Sequence, residues 1–279
     1  MNRVRHIPER VAARREQFDV LKRRVRHPLW WFPDPTVQQQ EAYRRIWQNL
    51  RVVQDVRDGR HDTQEWRARA GPFAMCCVRV PPTCFTAELG SLQTVLASFP
   101  FVRLHPQSFF HIPIQEIGFL SDGPVQRNDL TRKGLDEFIA QAHRPLLDFP
   151  SFPIVLGPVN SFADAAFLDI DDDGWLSRIH KRLLDFATVP PRTRYPYLPH
   201  MTLAHYDREA PIGNLPAALA EWRDLPLGKF IVDRVEVVLL ETKETFPPFD
   251  VVHEFMLGTT KARGMIPQRP GFGTDNRLS

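Results

Sequence analysis

His111 and His200 each open a short apolar run. The first reads Phe109-Phe110-His111-Ile112-Pro113-Ile114-Gln115-Glu116-Ile117-Gly118, and the second Leu198-Pro199-His200-Met201-Thr202-Leu203-Ala204-His205-Tyr206. Runs of this kind are predicted to be strands, in which residues i and i+2 share a face. His200 and Thr202 are therefore expected on one face, with Met201 and Leu203 turned into apolar packing. His111 and Pro113 share a face opposite Ile112 and Ile114. An imidazole gives or takes a proton near neutrality. Two of them across a cleft supply what opening a 2',3'-cyclic phosphate needs: a base to activate water and an acid to protonate the departing ribose oxygen. A hydroxyl two residues along, Thr202, can donate to a non-bridging oxygen of the transition state. Acid, base and donors cover every step, so this chemistry calls for no metal and no cofactor.

The same alternation places Gln115 beside His111, and Ala204 and Tyr206 beside His200. Tyr206 is then a candidate contact for a base or ribose, weighed against a tyrosine at the core edge. Arg192 and Arg194 stand in a proline-rich loop before the second run and are candidates to hold a phosphate, with Arg194 the nearer. His205 is expected on the face opposite His200. That placement counts against a zinc site built from His111, His200 and His205, since no nearby Asp or Cys completes a shell. Asp169-Ile170-Asp171-Asp172-Asp173-Gly174 imitates the opening of a calcium loop. Its twelfth position is His180 rather than Glu, and the segment entering it reads as strand. A turn followed by a helix capped by Asp173 explains the run better. No phosphate-cradling lysine loop, nucleophile elbow or dinucleotide fingerprint is present.

The elements that must carry these residues can be read around them. The 279 residues are 43% hydrophobic and 25% charged, which suits a globular body with a real core. No run of ~18 apolar residues occurs, so no membrane helix is expected. The Arg-rich first 26 residues have no apolar centre, which speaks against a secretory signal. Cys76, Cys77 and Cys84 are read as reduced thiols, pointing to a cytoplasmic setting. Cys76 and Cys77 should face opposite sides of one strand as small packing residues.

Residues 1–70 carry 16 Lys and Arg against 9 Asp and Glu, and the remainder 20 against 24. A basic arm ahead of a slightly acidic body suits a polyanionic partner or a solvated helix surface. Residues 1–27 read as a charged helix or loose arm. Asp34 as cap and Pro35 at the first position start a helix, with Tyr43, Ile46, Trp47, Leu50 and Val53 on one stripe and Gly59 at its C-cap. This helix is expected to pack on the body or on a second copy of the chain.

Further along, Phe73 to Val80 reads as a strand, Ala87 to Phe99 as a helix, and 109–119 as the first histidine strand. Thr131 to Leu147 is a helix with Leu135, Phe138, Ile139 and Ala142 inward. Pro153 to Val159 and Ala165 to Ile170 are strands, and Gly174 to Phe186 a helix. The second histidine strand follows, then strands at Phe230 to Leu240 and Val251 to Leu257. Strand, helix and histidine strand thus occur twice. The expected fold class is α+β: a bilobal, duplicated αβ domain with antiparallel sheets around a central cleft, plus an N-terminal helical extension.

With both runs in view, Pro199-His200-Met201-Thr202-Leu203 resembles the second motif of the 2H phosphoesterases, the superfamily of the 2'-5' RNA ligases and cyclic phosphodiesterases. His111 to Gly118 resembles its first motif. The resemblance spans roughly residues 71–258. It implies a bilobal fold whose cleft is floored by both motifs, with RNA ends or nucleotides bearing a cyclic or 2' phosphate as substrate. Residues 1–70, read as a basic helical extension through which the chain could oligomerise, and 259–279, read from their Gly, Pro and Arg as a disordered tail, fall outside it. The expected activity is metal-independent phosphodiester hydrolysis or 2'-5' ligation by His111 and His200 with Thr202. The first motif departs from the family at Pro113, where Thr or Ser stands. Proline has neither hydroxyl nor N–H. The lost donor is worth about 1.5–3 kcal/mol, roughly ten- to a hundred-fold in rate, which Gln115 is placed to offset. The alternative reading is a non-catalytic RNA- or nucleotide-binding protein with a degenerate first motif.

Overall fold

The computed structural model describes residues 35–124, 126–187, 189 and 196–258. The basic arm, Asp34, Arg192, Arg194 and the tail from 259 lie outside the described residues.

Helix α1 spans Pro35–Leu50 and is followed by the short strand β1 (Asp55–Val56) and helix α2 (Gln64–Arg67). Next come β2 (Phe73–Arg79), α3 (Glu88–Ala97), β3 (Val102–Leu104), β4 (His111–Leu120), β5 (Asp129–Leu130) and α4 (Arg132–Leu147). The chain continues through β6 (Phe152–Ser161), β7 (Ala165–Asp171), α5 (Trp175–Leu183), β8 (His200–Tyr206), β9 (Ala210–Pro211) and α6 (Leu215–Ala220). It closes with β10 (Gly228–Val232), β11 (Arg234–Leu240) and β12 (Asp250–Met256).

Two five-stranded sheets result, ordered β5-β4-β2-β11-β12 and β3-β8-β7-β6-β10. All pairings within them are antiparallel except β4 with β5. Each sheet places its histidine strand second from one edge, beside a short edge strand. The duplication read from the order of elements is thus a pair of equivalent sheets, and β4 and β8 approach each other where the two meet.

Packing follows the period of two. Ala74, Cys76 and Val78 join the main core, while Phe73, Met75 and Cys77 join a second apolar cluster with Phe109, Phe119, Val238 and Leu240. Both adjacent cysteines are buried on opposite faces, and burial pushes their thiols well above the usual range. Thr131 caps α4 by accepting the Gly134 N–H at 3.1 Å, and Leu135, Phe138, Ala142 and Leu146 are its buried stripe.

Three sequence expectations change. α1 stops at Leu50, because the chain turns at Val52 and Val53 and enters β1, which pairs with β9. Gly59 is therefore not a helix cap but lies in the strap that follows. Phe230 to Leu240 is two strands, one in each sheet, separated by Asp233 alone. The helix after the acidic run is capped by Asp172 rather than Asp173. Asp173 and Gly174 take left-handed conformations (φ 53° and 74°), and this turn carries the chain back over the Asp172 carboxylate. That carboxylate accepts the N–H groups of Gly174 at 3.2 Å and Leu176 at 2.6 Å, and the Gln39 amide at 3.0 Å. Among the described residues no helix is long and apolar enough to cross a membrane.

Because Asp172 ties α1 and α5 to the same turn, Asp172→Ala is expected to destabilise the protein by about 1–3 kcal/mol in urea denaturation. An unchanged midpoint would contradict this account of the turn.

Candidate active site

His111 and His200 are the first residues of β4 and β8. In each, ring Nδ1 lies 2.8 Å from the carbonyl oxygen two residues back, that of Phe109 or Leu198. A carbonyl oxygen only accepts, so Nδ1 carries the proton in both neutral rings. Nε2, on the far side of each ring, is left with its lone pair. The backbone therefore fixes the same tautomer twice, by the same local device. Two phenylalanines stand edge-on to each imidazole: Phe109 and Phe249 at 5.2 and 5.1 Å from His111, and Phe162 and Phe167 at 5.5 and 5.6 Å from His200.

Burial pushes the His111 imidazole down to about 4, against the Phe109 hydrogen bond, and the nearby His200 ring adds to the depression. His200 is lowered by burial as well. The Leu198 carbonyl and the Asp164 carboxylate work against that shift. His111 thus feels the charge of the His200 ring, and the Asp164 carboxylate stands in the surroundings of His200.

Both histidine strands contain a bulge at the same place. In β4, Pro113 pairs with Cys77 and Gln115 with Cys76, leaving Ile114 without a partner. In β8, Thr202 pairs with Phe167 and Ala204 with Ala166, leaving Leu203 without a partner. A bulge reverses the alternation beyond it. From each histidine onward the two strands share one seven-residue sequence of buried and half-buried positions. Thr202 lies on the His200 face and Pro113 on the His111 face, as the spacing implies. Beyond the bulges the expectations fail. Gln115 turns inward and gives its amide to the Glu116 carbonyl at 2.7 Å, and Glu116 takes the outer position. Tyr206 is fully buried, edge-on to Phe101, with its hydroxyl 2.5 Å from that of Ser161. His205 emerges on the His200 face instead of the opposite one.

His205 opens a group that alternation did not reveal. Its Nδ1 is 2.8 Å from Nε2 of His105, a buried ring whose own Nδ1 has no partner among the described residues. Burial pushes these imidazoles down to about 3 and about 2. His61 stands 5.2 Å from His205, centroid to centroid, and stacks on Phe109 at 11°. His61 is brought there by a strap in which the Arg57 N–H donates to Ala163 and the Gly59 N–H to Tyr206. Gly59 is required by space, since a Cβ there would sit 2.2 Å from the Asp164 carbonyl oxygen. Asp62 anchors the far end through Arg103, Arg67 and Thr245. Among the described residues no three histidine, cysteine or carboxylate groups are placed to hold a metal ion.

The carbonyls at the β4 bulge are held from the second half of the chain. Tyr197 donates its hydroxyl to Pro113 at 3.1 Å, and His180 Nδ1 donates to Ile114 at 2.7 Å. The two side chains stack on each other, 4.1 Å apart and 15° from parallel.

The sequence profile of the 2'-5' RNA ligase superfamily matches residues 81–244, more than half of the chain. No curated protein matches it. Among solved structures, the TT0787 protein of Thermus thermophilus is 20% identical, with 67% of this chain and 99% of that one covered and a TM-score of 0.48. E. coli LigT in complex with 3'-AMP is 13% identical, with 67% and 98% covered and a TM-score of 0.47. The E. coli LigT complex with phosphate is 13% identical, with 68% and 100% covered and a TM-score of 0.46. With both histidine motifs inside the matched segment, the chain belongs to the 2'-5' RNA ligase superfamily.

Proposed function

We propose that the protein is a metal-independent phosphoesterase acting on RNA ends or nucleotides that carry a 2',3'-cyclic phosphate or a 2'-5' linkage. The observation that carries this reading is the matched pair of imidazoles, each held by a carbonyl at Nδ1 and each left with Nε2 for proton transfer. In hydrolysis one Nε2 takes a proton from water as its oxygen attacks phosphorus. The bond from phosphorus to one ribose oxygen breaks, and the other imidazole gives that oxygen its proton. Ligation is the same sequence in reverse, with a ribose hydroxyl in place of water. Thr202, on the face of His200, donates to a non-bridging oxygen.

Asp164 favours the charged form of His200, which makes His200 the acid and His111, with its lower pKa, the base of the hydrolytic direction. In this reading residues 71–258 are the catalytic body and the helical segment before them is its support. A nucleotide binder without turnover is the alternative, and it rests on Pro113, which offers no donor where Thr202 offers one.

Turnover of a 2',3'-cyclic mononucleotide in EDTA is the first test. His111→Ala and His200→Ala are each expected to lower kcat by about 10²- to 10⁴-fold. No turnover would leave the binding reading, and turnover indifferent to both changes would overturn the roles given to the two histidines. Pro113→Thr is expected to raise kcat by up to about tenfold by restoring a hydroxyl beside His111. A slower variant would give Pro113 a role of its own.

Both imidazoles are lowered in the free protein, so protons leave them below the usual histidine range. The bell of kcat/KM against pH is therefore expected to centre on the acid side of 6.5. Asp164→Asn is expected to move its falling limb to still lower pH, because the carboxylate that stabilises charged His200 is gone. A limb that stays in place would reassign the acid.

A further inference from the structure

α1 lies outside the segment matched by the superfamily, yet it reaches the second motif. β7 and β8 pair with Asp169 opposite His200, and the pairing ends there. One step further would set Ile170 against Pro199. Instead both ladder groups of Ile170 are taken by α1. Its N–H donates to the Tyr43 hydroxyl at 3.2 Å, and its carbonyl accepts the Gln39 amide at 2.6 Å. The Tyr43 hydroxyl, also 3.4 Å from the Ile170 carbonyl, donates in turn to the Pro199 carbonyl. One phenol thus occupies the place where two strands would otherwise bond.

Pro199 is the middle of the tripeptide that carries both the catalytic ring and its ring-orienting acceptor, Leu198 and His200. The same helix grips the opposite side. Asn160 donates to the Tyr43 carbonyl at 3.0 Å and to Asp169 at 2.9 Å, and Asp169 is the cross-strand partner of His200. Tyr43, Asn160 and Asp169 are all buried, so water does not compete for these bonds. Burial also holds the phenol protonated, as a donor needs to be.

We propose that Tyr43 is a positioning residue for His200: by bridging Ile170 and Pro199, it fixes the peptide from which the second imidazole and its orienting carbonyl depart. This rests on the catalytic reading of His200 given above. Tyr43 does not touch substrate. Its effect is on where His200 Nε2 stands when the leaving oxygen needs its proton.

The test compares Tyr43→Phe with Gln39→Leu in the full chain, using a 2',3'-cyclic mononucleotide. Both variants remove a bond from α1 to Ile170, but only the first releases Pro199. Tyr43→Phe is expected to lower kcat by about 10- to 100-fold at nearly constant KM and to shift the His200 ring-proton resonance. Gln39→Leu is expected to leave kcat within about twofold and the resonance in place, although the melting temperature falls. Placing 3-fluorotyrosine at position 43, which keeps the shape and alters the donor, is expected to change kcat without changing KM and covers the case in which Tyr43→Phe does not fold. Equal kcat for the phenylalanine and leucine variants, or a fluorotyrosine protein identical to the parent, would overturn the proposal. Absence of turnover in the unaltered protein would instead overturn the catalytic reading, so the two failures are distinct.

Discussion

A neutral imidazole that gives its Nδ1 proton to a carbonyl two residues back has one nitrogen left to work with. His111 and His200 are both committed in this way. The constraint is local, since the acceptor belongs to the turn that delivers the chain into the strand. Once the carbonyls of Phe109 and Leu198 are in place the tautomer, the ring plane and the free nitrogen follow. The fold then has to hold two short turns at a fixed separation. Much of the buried polar bonding near the site serves that end: Tyr197 and His180 on the carbonyls of β4, Tyr43 and Asn160 around the entry to β8.

The two halves are alike in backbone and unlike in side chain. The bulge falls at the same place in both histidine strands, and the same positions turn outward on either side of it. The first half fills them with Pro113 and Glu116, the second with Thr202 and His205. The first thus offers no neutral donor beside its histidine, whereas the second offers a hydroxyl and lies near a carboxylate. A duplicated frame of this kind keeps the two Nε2 atoms equivalent in placement while their environments differ, and the proposed division into acid and base rests on that difference.

The sequence disclosed what depends on short-range pattern. Strand alternation found His111, His200, Thr202 and Pro113 on their faces. Helical spacing found the buried stripe of α4, and the repeated order of elements found the two equivalent sheets. It misplaced what lies beyond an irregularity. Nothing in Ile114-Gln115 or Leu203-Ala204 announces an unpaired residue, so plain alternation puts Gln115, His205 and Tyr206 on the wrong sides. His61 and His105 were invisible for another reason. They reach the site by tertiary contact, one on a strap laid across the second sheet and one from the end of an edge strand. Tyr43 looked like one more apolar position of an amphipathic helix, because its ring does pack on Phe167 (6.5 Å between centroids) while its hydroxyl does something else. The split of Phe230 to Leu240 between two sheets was hidden as well, since a single Asp within an apolar run does not by itself mark a crossing.

That crossing has a mechanical consequence. Val232 ends the outermost strand of one sheet and Arg234 begins an interior strand of the other, so at Asp233 the halves are joined by a tether two peptide units long. Such a tether spans at most about 7 Å. Close to Asp233 the two sheets can therefore part by no more than this reach, like pages near a spine, and any larger separation has to lie away from it.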